Sequence, residues 1–447
     1  MKILLVSIFI IFFAVITIII LSFKKSKQIT FIKGLANLFS LSISNNKKII
    51  EGEYENNYIK GAITKEYYSN FSTKTFKVVI KPIIKSSFRL NIEKKRAAVI
   101  KNNITTVDNE FDKSYYINTN QKRRIIAVLD KETRDLILGY INQYIRFSII
   151  NNEIVLSYQY FTLRYWEKII KNLINLSNKL YRSIDIDINL INNIEKEKNN
   201  AVRIKNMENL LLSDELNKYK SLFLKLKNDP VNEIAIIANY ALKEEGIDYL
   251  LTIIKDSNDN LKIMAIDYLK KFWNNKDVLR EFYKLLNSYN EYILIKIINI
   301  FIKINDKESI IHVNNFIKNN HEYIIKSISL LNVISDYIQI FKVKDCDLFL
   351  KNLLESNDKN IKLKAINTIA KLGDISLIQY IYPLSKGLNH PDIKNAVNNA
   401  ISILQKNIPL NQRGDLTLAE IENSGKLSLK KDNDNGKLSI DNNIQDN

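Results

Sequence analysis

The sequence predicts an N-terminal transmembrane helix, an α+β membrane-proximal module and an all-α solenoid of helical repeats, closed by a disordered tail. Three observations carry that reading. Residues 3–23 contain no charged side chain, residues 49–159 hold short alternating runs broken by Asn, Ser and Gly, and a Ser-Asn-Asp phrase recurs before apolar helices in the second half. The corresponding domains are 1–24, 29–185, 205–405 and 406–447.

The first segment is long enough for a bilayer. At 1.5 Å per residue, about 20 apolar residues cross a hydrocarbon core roughly 30 Å thick. A cleavable signal is the rival, but its apolar core typically runs about 7–15 residues, and no small-x-small pattern precedes Lys24. A lipoprotein is excluded because the only cysteine is Cys346. Lys2 precedes the segment, and Lys24, Lys25, Lys27 and Lys33 follow it. These membrane-flanking residues favour a single-pass protein of the inner (cytoplasmic) membrane with its body in the cytoplasm, since Lys and Arg near a span stay on that side. A lone Lys before an apolar run also opens an ordinary signal anchor, which would place the body outside.

The formal net charge of +18 is unevenly spread. Residues 1–200 hold 32 Lys and Arg against 17 Asp and Glu, a net of +15, whereas 201–405 carry only +4. A basic region beside an anionic leaflet gains about 1 kcal/mol per near-surface Lys or Arg. Lys24, Lys25, Lys27, Lys33, Lys47 and Lys48 are the candidates for that contact. Nucleic-acid phosphate is the alternative partner, although no helix-turn-helix, zinc-finger or RNP-like pattern accompanies the charge. An ordinary solvated Lys-rich face is the third account.

In the middle module, 29–41 reads as a short amphipathic stretch, and Ile49–Tyr54, 58–65, 75–80 and 87–92 alternate as strands do. Residues 146–150 and 154–159, joined by Asn151-Asn152, read as a β-hairpin. Residues 130–140 and 163–181 have helical spacing, with Ile169, Leu173, Leu176 and Leu180 on one face. The mixture predicts an α+β module. Glu51-Gly52-Glu53-Tyr54, Gly61, the run Phe111-Asp112-Lys113-Ser114-Tyr115-Tyr116-Ile117, Leu129 and Arg134 together resemble an uncharacterised bacterial module that follows a membrane helix. That resemblance implies location and fold, and supplies no catalytic residue. Asp112 reads as a turn or capping residue.

The second half repeats itself. Ser257-Asn258-Asp259-Asn260-Leu261-Lys262 returns as Ser356-Asn357-Asp358-Lys359-Asn360-Ile361-Lys362, and comparable helix starts fall at Val231, Leu261, Tyr292, Tyr323, Ile361 and Ile393. A period of 30–38 residues accommodates two short helices and two turns. In Asp229-Pro230 the Asp can accept free amides and Pro suits the first helical position, and His390-Pro391 places a proline at nearly the same point. Asp229-Pro230-Val231, the Lys after each of Leu261, Ile361 and Ile393, and the small Ala265 and Ala365 resemble the HEAT-repeat family. Lys296 and Ser327 stand where that family places small residues. The resemblance implies an extended surface for macromolecular partners and no catalysis.

Reagents for chemistry are scarce. One cysteine and three histidines, His312, His321 and His390, leave neither a disulfide framework nor a two-thiolate zinc site. His312 and His321 are too far apart in sequence to ligate from one helix face as i, i+4 pairs do. There is no Gly-rich phosphate loop, Gly-x-Ser-x-Gly elbow or zinc motif. The expectation is therefore no enzyme, no cofactor, and no catalytic or metal residue. In the tail, Gly-x-Leu-(Ser/Thr)-(Leu/Ile) recurs at Gly414, Gly425 and Gly436. Such a segment suits either strand addition to a partner or a repeat with no binder. The whole reads as a membrane-anchored scaffold or adaptor that binds protein partners through its repeats, with a membrane-tethered nucleic-acid-binding repeat protein as the alternative.

Overall fold

The computed structural model describes residues 2–44, 46–68, 71–84, 87–95, 104–140, 145–159, 162–386 and 390–406. An antiparallel sheet region comes first and a helical region follows, and the chain divides into units Met1–Leu242 and Lys243–Asn447. The first unit therefore takes in helices beyond residue 205, where the sequence reading began the repeats.

Strands β1 (Ser42–Ile43), β2 (Ile49–Tyr54), β3 (Asn57–Tyr68), β4 (Phe71–Pro82), β5 (Leu90–Lys94), β6 (Tyr115–Thr119), β7 (Ile145–Ile150) and β8 (Glu153–Tyr158) form one sheet. Their order is β1-β2-β3-β4-β8-β7-β5-β6, antiparallel throughout. Two hairpins have explicit turn chemistry. Glu55 and Asn56 between β2 and β3, and Asn151 and Asn152 between β7 and β8, all have positive φ. Paired left-handed residues match the twist of the flanking strands. β1 and β6 were absent from the sequence reading. In β6, Tyr115, Tyr116 and Ile117 are all buried, so the alternation that marks a one-faced strand is missing.

The helices of this unit are α1 (Lys2–Leu38), α2 (Asn109–Ser114), α3 (Lys122–Val128), α4 (Lys131–Leu138), α5 (Leu163–Tyr181), α6 (Ile186–Lys196), α7 (Asn200–Leu210), α8 (Lys220–Leu226) and α9 (Asn232–Ala241). The end of α1, with Phe31, Ile32, Leu35 and Ala36, shares one core with α5 and the inward residues of the sheet. Phe76 of β4 is its hub. The rings of Phe31 and Trp166 meet it edge-on at 5.1 and 4.7 Å. Gly61 makes room for it, because a Cβ there would lie 2.5 Å from the Phe76 ring and 2.9 Å from Ile50.

The second unit holds α10 (Ile247–Asp256), α11 (Asp259–Leu269), α12 (Lys276–Lys284), α13 (Glu291–Ile304), α14 (Ser309–Asn319), α15 (His321–Lys326), α16 (Ile328–Phe341), α17 (Asp347–Glu355), α18 (Lys359–Leu372), α19 (Ile378–Ile381), α20 (Pro383–Lys386) and α21 (Pro391–Lys406). Packing within it is serial. α11 touches α13, α13 touches α16, α16 touches α18 and α18 touches α21, while α10 and α17 pack on α11 and α18. The tail repeats at Gly414, Gly425 and Gly436 lie outside the described residues.

Candidate functional site

Two places in the molecule are candidates for function, one in each unit. The first is α1. Between residues 3 and 33 the sequence has neither Gly nor Pro, so nothing interrupts helical hydrogen bonding, and the apolar segment and the amphipathic stretch from 29 belong to one helix. Its described side chains begin at Phe12. From Phe12, 61% exposed, to Phe23, 62% exposed, the large apolar residues touch solvent, whereas Phe31, Ile32 and Leu35 are buried. Lys24, Lys25 and Lys27 lie exposed between these halves, and Lys33 is exposed on the docked turn. The Lys27 ammonium sits 4.8 Å from the Phe23 ring centroid. Lys2 opens the helix, and its side chain lies outside the described residues. Among the described residues no helix is long and apolar enough to cross a membrane.

A buried charge network stands deeper in the same unit. Arg134, 2% exposed, donates from Nε to Asp108 Oδ2 at 2.8 Å, from Nη2 to Glu197 Oε2 at 2.6 Å and from Nη1 to the Leu129 carbonyl at 2.8 Å. Burial by itself would raise both carboxyl pKa values. The Arg134 hydrogen bonds, helped by the Phe111 and Glu110 amides on Asp108 and the Asn199 and Lys198 amides on Glu197, outweigh it and hold both acids below the usual carboxylate range. Every donor and acceptor here is directed at a loop or helix end, since Asp108 also caps α2. The arrangement joins chain segments. Asp112 is a brace as well, accepting from Thr106 N, Thr106 Oγ1 and Val107 N at 2.8–3.0 Å.

In the second unit the helix caps are spaced more regularly than the apolar residues suggest. Asn258, Asn290, Ser327 and Asp358 accept amide hydrogens at the starts of α11, α13, α16 and α18, and His390 Nδ1 accepts from Asp392 N at the start of α21. Three residues after each cap stand Leu261, Ile293, Leu330, Ile361 and Ile393, and seven after stand Ala265, Ile297, Ile334, Ala365 and Val397. All ten are buried. The sequence reading took Tyr292 and Tyr323 as the helix-start positions. Tyr292 is 75% exposed, and Tyr323 belongs to α15. The error was one of phase, because an aromatic beside a helix start is apolar whether or not it faces inward. Lys296 and Ser327 are therefore no exceptions. Lys296 bonds Asp267 at 2.8 Å and Ser327 caps α16. Pro391 opens α21 as expected, but α9 starts at Asn232, two residues past Pro230. Asp229 there accepts from Val231 N at 3.0 Å while its other oxygen takes Arg203 at 2.7 Å.

Polar side chains also step from one repeat to the next. Asp259 meets Asn290 at 2.7 Å, Asp267 meets Lys296, Asp336 meets Lys364 at 3.2 Å, and Lys359 meets Asp392. The partners are 28–33 residues apart in sequence. Exposed pairs of this kind contribute little energy each, so they report register more than stability.

The residues best suited to chemistry have structural partners. Cys346 is buried, hydrogen-bonds the Val343 carbonyl at 3.1 Å, and has its thiol pKa pushed up to about 12, first by burial and then by Asp347. A thiol held protonated is a poor nucleophile. His312 stacks on Tyr283 at 4.2 Å, and Tyr283 donates to Asp306 at 2.9 Å. Among the described residues no group of three or more His, Cys, Asp or Glu is placed to hold a metal ion. Sequence reasoning missed the Arg134 partners and the repeat caps. The caps had a readable signal in Asn258, Asn290, Ser327 and Asp358, the partners of Arg134 none. The chain matches no family model and no curated protein.

Proposed function

We propose that the chain is a single-pass membrane-anchored scaffold whose helical array binds protein partners. The observation that carries this reading is the continuity of α1, which runs from the charge-free residues 3–23 through Lys24, Lys25 and Lys27 into the core at Phe31. Eight residues of helix separate Phe23 from Phe31, about 12 Å. The sheet unit is thus held close to the headgroups, where the lysines meet anionic lipid. The five capped helices, with buried positions three and seven residues after each cap, support a HEAT-like reading of the array. Four lysines after the apolar run support a cytoplasmic body at the inner membrane.

Carbonate washing of membranes tests the anchor. The full chain should stay in the pellet and a chain lacking residues 2–23 should appear in the supernatant, while release of the full chain would overturn the anchor. Crosslinking in membranes followed by mass spectrometry tests the scaffold. A protein partner should be recovered with the full chain and lost when residues 243–406 are removed. Recovery of DNA or RNA instead, with binding that falls steeply with salt, would transfer the function to nucleic acid.

A further inference from the structure

Within the second unit, α10, α11, α12 and the turn after α12 border an open cavity of about 400 Å³. Four charged side chains line it, Lys255, Lys262, Glu281 and Lys284, with Asn287 and Ser288 beside them and Ile254 and Leu285 as its apolar part. Glu281 is 5% exposed, and one of its oxygens takes Lys284 at 2.9 Å and Lys255 at 3.6 Å. That buried carboxylate fixes two ammonium groups at the wall, each retaining further N–H donors. Lys262 is a half-buried residue, and its ammonium has no hydrogen bond or ion pair among the described residues. Three positive groups against one negative leave the cavity at +2. Ser288 Oγ accepts from Asn290 N at 3.1 Å, which leaves its hydroxyl hydrogen for a ligand.

The surroundings favour a peptide. Directly after Ser288 in the chain, Tyr289 is 90% exposed and Tyr292 75% exposed, and the Tyr323 hydroxyl bonds the Tyr289 carbonyl at 2.9 Å. Exposed tyrosines offer large contact area with little loss of side-chain freedom on binding. A cavity near the lower end of the usual range of about 300–1,000 Å³ holds a single acidic side chain with part of its backbone. We infer that this cavity binds the carboxylate of a Glu or Asp in a linear peptide segment of a partner protein, with an apolar neighbour of that residue packing on Tyr289 and Tyr292. The inference deepens the scaffold reading and rests on it for the partner being a protein.

The test uses the full chain in detergent micelles and a fluorescein-labelled octapeptide containing two Glu-Tyr pairs, with a Gln-for-Glu peptide as control. The Glu peptide should bind at least tenfold more tightly than the Gln peptide. Lys262→Gln should weaken it at least tenfold with an unchanged melting temperature, Lys255→Gln should weaken it several-fold, and Lys303→Gln, on exposed α13 surface, should leave it within twofold. Equal binding by Lys262→Gln and the parent protein, or by the two peptides, would overturn the inference. Displacement by inorganic phosphate at a tenfold lower concentration than by acetate would also overturn it, by assigning the cavity to phosphate. Failure of the scaffold reading shows separately, as a crosslinking experiment that recovers no protein while the peptide titration still depends on Lys262.

Discussion

The two units are held together at different distances along the chain. In the first, Arg134 reaches Asp108 and Glu197 across 26 and 63 residues, and buried Asn57 on β3 joins Ser177 on α5 across 120. In the second, polar partners on neighbouring helices lie only 28–33 residues apart. A sheet unit of this kind gains its stability only when distant pieces have met, so damage anywhere in it is felt everywhere in it. Helices packed in series depend mainly on their immediate neighbours, so damage stays near its origin.

The largest expected effect comes from breaking the first unit at its charge network. Arg134→Ala leaves the Asp108 and Glu197 carboxylates in a buried setting without their cation, which typically costs about 3–5 kcal/mol. Each unit carries one of the two tryptophans, buried Trp166 in the first and partly exposed Trp273 in the second. Urea unfolding followed through single-tryptophan variants separates them. The Trp166 transition should move to much lower urea while the Trp273 transition stays in place, and equal shifts would show that the units unfold as one. The loss also depends on pH. Both carboxyl groups have folded pKa values below their unfolded ones, so the stability they contribute is present above the ordinary carboxylate range and disappears as pH falls through the depressed folded values. In the variant, burial without Arg134 raises those values, and the gap between variant and parent should narrow as the solution is acidified.

A smaller change sharpens the contrast from the other unit. Asp358 Oδ1 accepts from Asn360 N at 2.7 Å and Ile361 N at 3.4 Å at the start of α18. Asp358→Ala should cost about 1 kcal/mol. Hydrogen exchange should quicken in α18 and in its neighbours α16 and α21, and remain unchanged in α11. Uniform acceleration across the array would contradict serial packing.

The same contrast explains what the sequence disclosed. Alternation marked Ile49–Tyr54 to the residue and placed the Asn151-Asn152 hairpin, because a strand with one buried face writes its period into the chain. β6 did not show, since its three apolar residues are buried in succession. Asn258 and Asp358 stand in the phrase that marks two helix starts, while counting the unit from Tyr323 puts Ser327 at a packing position although it caps α16. The lysines after Phe23 end the apolar segment in the sequence but not the helix, because Lys and Gln are good helix formers and α1 continues through them. No local pattern could reveal Arg134 as a hub, because its two acids are distant in sequence and each sits in an unremarkable polar stretch.

The smallest expected effect has the opposite sign. Asp347 begins α17, has one carboxyl oxygen buried with no hydrogen-bond partner among the described residues, and has its pKa raised first by burial and then by Asp374 and Asp345. For an acid whose folded pKa exceeds its unfolded one, ionisation opposes folding. The penalty is complete above the folded value and disappears as pH falls from there through the unfolded value, so Asp347 costs stability at neutral pH, where Arg134 and its acids contribute it. Asp347→Asn removes the charge at nearly constant volume. Solvent on the open side of the carboxylate screens much of the repulsion, and the positive end of α17 offsets more of it, which leaves an expected gain of about 0.5 kcal/mol. In thermal melts read through Trp273, the variant should unfold slightly above the parent at neutral pH and coincide with it only once the pH has fallen below the ordinary carboxylate range. A variant less stable than the parent at neutral pH would mean that the charge serves the α17 terminus more than it suffers from Asp345 and Asp374.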